Sequence, residues 1–245
     1  RICTNNKLKM KPPANFDWRF LTNRGTKMKN IIAFILALLY SLPTPAQTNN
    51  ADKMLYLGII ENNQAYVDQA IIDGAYLNRK YNEDYTPLAV ACAANDNPSI
   101  LKSLINAGAD IRFQNTHKQN LLTVSLNSKA NPENIHLLIN YGLSPNEADG
   151  SGYTPLYTAL INKAPHEAIL ALLQGGANPN IPFDFGGHEI YPLTLAVAAG
   201  SAPETIKHLM DYSNQDAHFQ ALTATVTNDD SQSYQIFQDN DLLQK

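Results

Sequence analysis

Short apolar groups and single glycines recur at a fixed interval along residues 52–213. Each of four glycines follows an apolar pair, as Ile71-Ile72 precede Gly74 and Leu172-Leu173 precede Gly176. The glycines are spaced 34 residues apart, at Gly74, Gly108, Gly142 and Gly176. A fixed period of this length is typical of proteins built by stacking one small structural unit.

Two further landmarks share this period and divide each unit into two predicted helices. Thr86-Pro87-Leu88 lies 22 residues before Gly108, and Thr154-Pro155-Leu156 lies 22 residues before Gly176. Because threonine caps free amides and proline has the φ of a first turn, each tripeptide predicts the start of a first helix. A proline near the middle of each unit predicts the start of the second helix, and the glycine predicts a left-handed turn after it. These prolines are Pro98, Pro132, Pro165 and Pro203, with Asn97, Asn131 and Ser201 as predicted caps; Asn120-Leu121-Leu122 is a degraded form of the tripeptide.

This pattern resembles the ankyrin repeat, whose signature includes Thr-Pro-Leu-His-x-Ala and whose usual period is about 33 residues. The resemblance implies an all-α ankyrin-repeat solenoid of about five repeats followed by a C-terminal helical cap. The expected units are residues 52–84, 85–118, 119–152, 153–190 and 191–216. The expected cap is 217–245, with helices at Phe219–Val226 and Ser231–Leu243.

The chain departs from that signature in two ways. The histidine is replaced by Ala89, Thr123, Tyr157 and Thr194, so the hydrogen bonds of the family's histidine are not expected. The step from Thr154 to Tyr191 is 37 residues, three more than the period. The excess falls in residues 181–190, which are expected to form a long loop.

The residues ahead of the repeats have a different character. The run of 12 uncharged residues at 31–42, IIAFILALLYSL, follows Met28-Lys29 and precedes the small residue Ala46. This order predicts a secretory signal peptide at Met28–Ala46, cleaved after Ala46. A buried helix and a membrane anchor are the alternatives, but such a run spans only about 18 Å of a roughly 30 Å hydrocarbon core. Residues 1–27 are expected to be a non-native, disordered upstream extension, with Met28 as the true start, and residues 47–51 a short linker.

Charge separates the same two parts of the chain. The 245 residues carry a formal net charge of −4, but residues 1–46 hold 8 bases and 1 acid. Residues 47–245 are left with 10 bases and 21 acids, a balance of −11. This balance argues against a nucleic-acid-binding protein. It suits a basic protein partner, and it equally serves plain solubility.

No catalytic or metal-binding spacing emerges from the sequence. The six histidines are scattered, and no two have the i, i+4 spacing of a zinc site or join a cysteine cluster. Cys92 stands at a helix position that is normally a core alanine, so it is expected to be a buried structural thiol. We therefore expect a non-enzymatic protein with no cofactor and no metal.

The resemblance also implies where a partner protein would bind. Ankyrin-repeat proteins are similar in using the hairpin tips between repeats and the exposed edge of each first helix. Tyr85 and Tyr153 either join an exposed apolar column with Ile161 and Ile190 or pack over the next hairpin, and both interpretations stay open. For Phe183 and Phe185, in the long loop, we favour contact with a partner over packing on the neighbouring unit. By position, the predicted partner-binding residues are Glu83, Tyr85, His117, Gln119, Asn127, Tyr153, Ile161, Asn162, Phe183, Phe185, His188 and Ile190.

Together these features predict a bacterial, periplasmic or secreted, monomeric module that binds another protein. No nucleic-acid partner is expected, and no membrane anchor after signal cleavage. The alternatives are an immunity protein that neutralises a toxin delivered to the periplasm and a support protein for a periplasmic redox enzyme. A further alternative is an effector exported towards a host cell.

Overall fold

The computed structural model describes residues 50–80, 85–94, 97–128, 131–185, 187–227, 235 and 237. These residues form a row of helix pairs and one two-stranded sheet. The first helices of the pairs are α1 (Asn50–Ile60), α3 (Pro87–Ala94), α5 (Leu121–Leu126), α7 (Pro155–Ile161) and α9 (Pro192–Ala198). The second helices are α2 (Gln64–Ile72), α4 (Pro98–Asn106), α6 (Pro132–Asn140), α8 (His166–Gln174) and α10 (Pro203–Tyr212). Strands β1 (Phe183–Phe185) and β2 (His188–Ile190) precede α9, and α11 (Gln215–Thr227) follows α10.

The first helices begin where the tripeptides predict them. The Thr154 side chain caps α7 by accepting a hydrogen bond from Tyr157 N at 3.4 Å. The Asn120 side chain caps α5 in the same way, accepting from Thr123 N at 3.1 Å. Asparagine is as good a capping residue as threonine, so the degraded tripeptide also starts a helix.

The mid-unit prolines start three of the second helices. Asn97 and Asn131 cap α4 and α6, as predicted, by accepting from backbone amides two residues further on, at 3.0 and 2.8 Å. In the next two units the prediction is wrong in detail. Pro165 itself stands before α8, which begins one residue later, and Ala202 stands directly before α10 without a side-chain cap. Ser201 is not the cap because it lies one residue too far from the helix.

The second helices end in left-handed turns at the repeated glycines, as predicted. Gly108 has a φ of 98° and Gly176 a φ of 91°, a conformation that strains any residue with a Cβ. The amide after the turn closes the helix, since Ala109 N donates to Leu104 O at 3.0 Å. At α10, Ser213 replaces the glycine and has an extended backbone, with a φ of −93°. The chain therefore leaves α10 without a left-handed turn.

The core is continuous from unit to unit. The leucines of the four tripeptides are all buried, and small residues one turn further along let neighbouring first helices approach closely. Those small residues are Ala91, Ser125, Ala159 and Ala196. Cys92 is 1 % exposed, and burial raises the pKa of its thiol, so the predicted buried cysteine is confirmed. Each helix packs mainly against its own unit and the adjacent unit.

The solenoid begins slightly earlier than predicted. Helix α1 starts at Asn50 and Ala51 is buried, so the last two residues of the expected linker 47–51 belong to the first helix pair. The Asp52 carboxylate, with a fully buried side chain, accepts from Tyr76 N at 2.8 Å and pairs with Arg79 at 3.3 Å. The expected extension (1–27) and signal peptide (28–46) lie outside the described residues.

The C-terminal cap contains the first of its two predicted helices. Helix α11 runs from Gln215 to Thr227 and includes the predicted segment Phe219–Val226. Of the predicted helix Ser231–Leu243 only Gln235 and Phe237 are described; both are helical, and Phe237 is fully buried. Within the described residues, no helix is both long and apolar enough to cross a membrane.

The segment 181–190 is not the irregular loop that the sequence predicts. It contains an antiparallel hairpin in which Phe183 pairs with Ile190 and Asp184 with Glu189. Gly187 takes a φ of 90° at the turn, and its amide donates to Asp184 Oδ1 at 2.7 Å. Apolar and polar residues alternate along β1, a strand pattern that is only three residues long.

Asparagines at the 34-residue period join three pairs of adjacent units, just after the C-terminal ends of the second helices. Asn146 donates to Gly176 O at 2.9 Å and accepts from Asn178 N at 2.7 Å. Asn78 and Asn180 make the same pair of bonds, to Gly108 O and Asp110 N and to Tyr212 O and Asn214 N, at 2.6–3.2 Å. The equivalent position between the second and third units is Arg112. Its guanidinium has no hydrogen bond to any described residue, so this seam lacks the bridge.

Candidate protein-binding surface

The turns between units are built on repeated side-chain hydrogen bonds. Asn115 Oδ1 accepts from the backbone amides of His117 and Gln119 at 2.9 and 3.0 Å. Asp149 makes the equivalent bonds one unit later, at 2.9 and 3.1 Å. Gly150 N donates to His117 O at 2.8 Å and links the two hairpins directly. These bonds fix the backbone of the turns, and the predicted residue His117 is exposed at the tip.

Tyr85 packs over the next hairpin. Its half-buried ring lies 6.4 Å from that of Phe113, between ring centroids, and Phe113 is 4 % exposed. The Lys80 ammonium lies 5.8 Å from the Phe113 centroid. Of the two open interpretations of Tyr85, the structure thus supports packing, although the residue is only half-buried.

Tyr153 makes an even closer contact with the inserted hairpin. Its ring stacks on Phe183 with centroids 4.4 Å apart, and Tyr157 completes the cluster at 5.2 Å from Phe183. Phe183 therefore packs on two rings at the start of its own unit, whereas the sequence analysis favoured contact with a partner. The physical reason is that β1 turns its first side chain towards two aromatic rings and removes apolar surface from water.

Tyr157 holds the other strand of the same hairpin. Its hydroxyl donates to the backbone carbonyl of Ile190, at the end of the fourth unit. Burial raises the pKa of the phenol, so the hydroxyl stays protonated and remains a donor. Tyr157 stands at the position of the missing histidine, so here the chain has a hydrogen bond that we did not expect.

The edges of the first helices carry the most accessible of the predicted residues. Ile161 is 48 % exposed at the end of α7. Asn127 and Asn162 are brought together, since Asn162 Nδ2 donates to Asn127 Oδ1 at 2.9 Å and to Leu126 O at 3.3 Å. This bond joins the edges of α5 and α7 into one surface. It leaves Asn127 exposed, with a carboxamide whose position is fixed.

The remaining predicted residues are divided among three settings. His188 is exposed on β2, whereas Ile190 and Gln119 are half-buried. Phe185 lies on β1, where only its backbone is described, and Glu83 is outside the described residues. Of the predicted exposed column, Ile161 is thus exposed, whereas Tyr85, Tyr153 and Ile190 are half-buried.

Three acidic residues lie at the starts of second helices, away from the first-helix edges. Glu133, Glu167 and Glu204 each occupy the first turn of a second helix, where a carboxylate interacts favourably with the helix dipole. The described first-helix edges carry Ala, Asn, Ser and Ile side chains and no charged group. Part of the acidity of the chain is thus accounted for by these favourable interactions at helix starts.

The described residues contain few groups that are placed for metal binding or nucleophilic catalysis. No group of three or more His, Cys, Asp or Glu among them is placed to hold a metal ion. Cys92 is buried and protonated, which is unsuited to nucleophilic attack. The rings of His166 and His208 lie 5.0 Å apart on the second helices, and His166 Nδ1 is 3.0 Å from Thr205 Oγ1.

Among the exposed aromatic residues that sequence reasoning missed is Phe219, which is 75 % exposed on α11. An available signal was the position of Phe219 relative to Ala217 and Ala221. The two alanines are a helical turn apart and buried, which turns Phe219 outwards.

Comparison of the sequence with known protein families agrees with this architecture. Residues 88–183 match the family model for ankyrin repeats, in three copies. No curated protein matches the chain. The chain thus carries ankyrin repeats over its central units, and its fold is an all-α ankyrin-repeat solenoid. Repeats of this family are generally protein–protein interaction modules and are typically non-enzymatic.

Proposed function

We propose that this protein is a non-enzymatic module that holds a partner protein on its hairpin tips and first-helix edges. The observation that carries the proposal is a contrast between equivalent positions of the units. The tripeptide leucines and the small residues after them are alike in every full unit because packing constrains them. Two residues further along, the edge residues differ from unit to unit, as Asn127 and Ile161 illustrate. Such freedom is expected of positions that meet a partner instead of the core.

We also propose that the protein is exported, to the periplasm or beyond, by the predicted signal peptide Met28–Ala46. The support is the basic start, the uncharged run at 31–42 and the small residue Ala46. The N-terminal sequence of the protein purified from its natural source tests this. A chain that begins at Gln47 is expected, and one that retains residues 31–42 would contradict export by cleavage.

The binding proposal is tested by capture with the tagged full chain and two matched variants. Ile161→Arg places a charge on the first-helix edge, whereas Ile72→Arg places it at the end of α2, where Ile72 is 78 % exposed. We expect Ile161→Arg to lower the affinity for the captured partner about ten-fold or more, and Ile72→Arg to leave it unchanged. Equal loss, or no loss, in the two variants would assign binding to another surface.

The captured partner also separates the proposed roles. Capture of a toxin would indicate an immunity protein. Capture of a redox enzyme would indicate a support protein, and capture of a host protein an effector. Tyr153 is unsuitable for this test, because its removal would unpack Phe183 and change stability as well as binding.

A further inference from the structure

An open groove of about 570 Å³ lies between α9 and α11, at the C-terminal end of the row of first helices. Tyr191 and Thr194 line it from α9 and the residue before it, and Asp216, Phe219 and Gln220 line it from α11. We call it the Phe219 groove. Helix α11 packs beside α9 in the manner of a further first helix, so the groove continues the surface described above.

Phe219 is held in an accessible position by the rest of its helix. Ala217 and Ala221 are fully buried on the opposite face, so α11 cannot rotate to hide the ring without exposing them. Gln220 fixes the rim, since its side chain accepts from Tyr191 N at 3.0 Å and donates to Glu189 O at 2.7 Å. The ring thus stands in a groove whose two walls are already tied together.

Thr194 brings a polar atom without a partner to the same place. Its buried Oγ1 has no hydrogen bond to any described residue. The equivalent hydroxyl in the third unit, Thr123 Oγ1, donates to the capping Asn120 at 3.3 Å. Tyr191 stands at that capping position in the fifth unit and offers no side-chain cap. Because the Thr194 side chain lines the groove, a group that enters the groove can offer this hydroxyl the acceptor that it lacks.

The charges around the groove are negative. Asp216 is exposed in its lining, and Glu189 is exposed beside it, on the strand whose carbonyl Gln220 holds. None of the residues that line the groove is basic. An aromatic face next to two carboxylates is suited to a cation with an apolar stem.

We propose that the Phe219 groove binds an extended segment of the partner protein that carries a lysine or arginine next to an aliphatic side chain. The aliphatic group packs on Phe219, the cation pairs with Asp216, and a backbone carbonyl of the segment accepts from Thr194. This inference rests on the proposed function, because it assigns part of the partner to one end of the same surface.

The test uses a phage-displayed library of random linear peptides, selected on the full chain and measured by fluorescence anisotropy. We expect the enriched peptides to combine Lys or Arg with a neighbouring Leu, Ile, Val or Met. Their affinity should fall about ten-fold for Phe219→Ala and several-fold for Asp216→Asn, and the Asp216→Asn variant should lose salt dependence. Ile72→Ala is the matched control, since it truncates an equally exposed apolar side chain in the first unit.

Three outcomes would overturn the proposal. They are enrichment of acidic or uncharged peptides, equal binding by the wild type and Phe219→Ala, and no enrichment on the wild type. Thermal unfolding midpoints of the variants, expected to equal that of the wild type, exclude misfolding as the cause of a loss. If Phe219→Ala keeps the natural partner and Ile161→Arg loses it, the groove assignment fails while the proposed function stands.

Discussion

Completing the asparagine bridge at the seam between the second and third units should stabilise the protein. In three other seams an asparagine bonds one carbonyl and one amide of the following unit, as Asn146 does with Gly176 and Asn178. The period places the Arg112 side chain opposite Gly142 and Ser144 in the same way. The backbone of the turn already has the conformation that the bridge needs, because Gly142 has a φ of 99°, within 8° of the 91° at Gly176. We therefore predict that Arg112→Asn forms both missing bonds.

The gain can be estimated from the two bonds. A hydrogen bond within a protein contributes about 0.5–1.5 kcal/mol net, and the exposed position of Arg112 favours the lower end. Two such bonds give about 1 kcal/mol, which corresponds to a rise of about 2–4 °C in the unfolding midpoint of a protein of this size.

Urea unfolding followed by far-UV circular dichroism, together with calorimetry, measures this gain. Arg112→Ala is the control, because it removes the guanidinium without adding a carboxamide. The converse change, Asn146→Ala, should lower stability by a similar amount. If Arg112→Asn is no more stable than Arg112→Ala, the bridge does not form and the equivalence of the seams is wrong.

Three further predictions concern buried polar groups. Ser125→Ala should raise the free energy of unfolding by about 1 kcal/mol in urea titrations, because the buried Ser125 Oγ has no partner among the described residues; a loss would show that the hydroxyl is satisfied. Asp52→Ala should cost about 1–3 kcal/mol and speed hydrogen exchange of the Tyr76 amide, which loses its acceptor; unchanged exchange there would contradict this role. Burial raises the pKa of the Cys92 thiol in the folded state above its value of about 8.5 in the unfolded chain. The stability that the protonated thiol contributes is therefore complete below about pH 8.5, and above it is lost by about 1.4 kcal/mol per pH unit. Cys92→Val should remove this alkaline decline, and an identical pH profile would refute it.

Most of the scaffold was predictable because it depends on local rules that repeat. Capping by Thr154 and Asn120 and the left-handed turn at Gly108 each involve residues close in sequence. The 34-residue period then predicted where the equivalent elements of the other units lie along the chain. The predicted Ser201 cap failed because Ala202 lies between it and Pro203, where the helix begins, so Ala202 occupies the capping position.

The details of the surface were less predictable because they depend on contacts between residues far apart in the sequence. The stacking of Tyr153 on Phe183 joins residues 30 positions apart, and the sequence alone left packing and partner contact equally open for the tyrosine. The hydrogen bond from Tyr157 to Ile190 is similarly remote. A residue that departs from a family signature can restore the lost contact with different chemistry, and only the fold shows that it does.

The packing of each helix against its own and the adjacent unit also has a consequence for how the chain folds. The principal contacts join segments that are near in sequence, so no unit has to wait for the distant end of the chain. Proteins rich in such contacts have low contact order and fold rapidly. Folding can therefore advance in the order in which the chain emerges, with each completed unit serving as the template on which the next one forms.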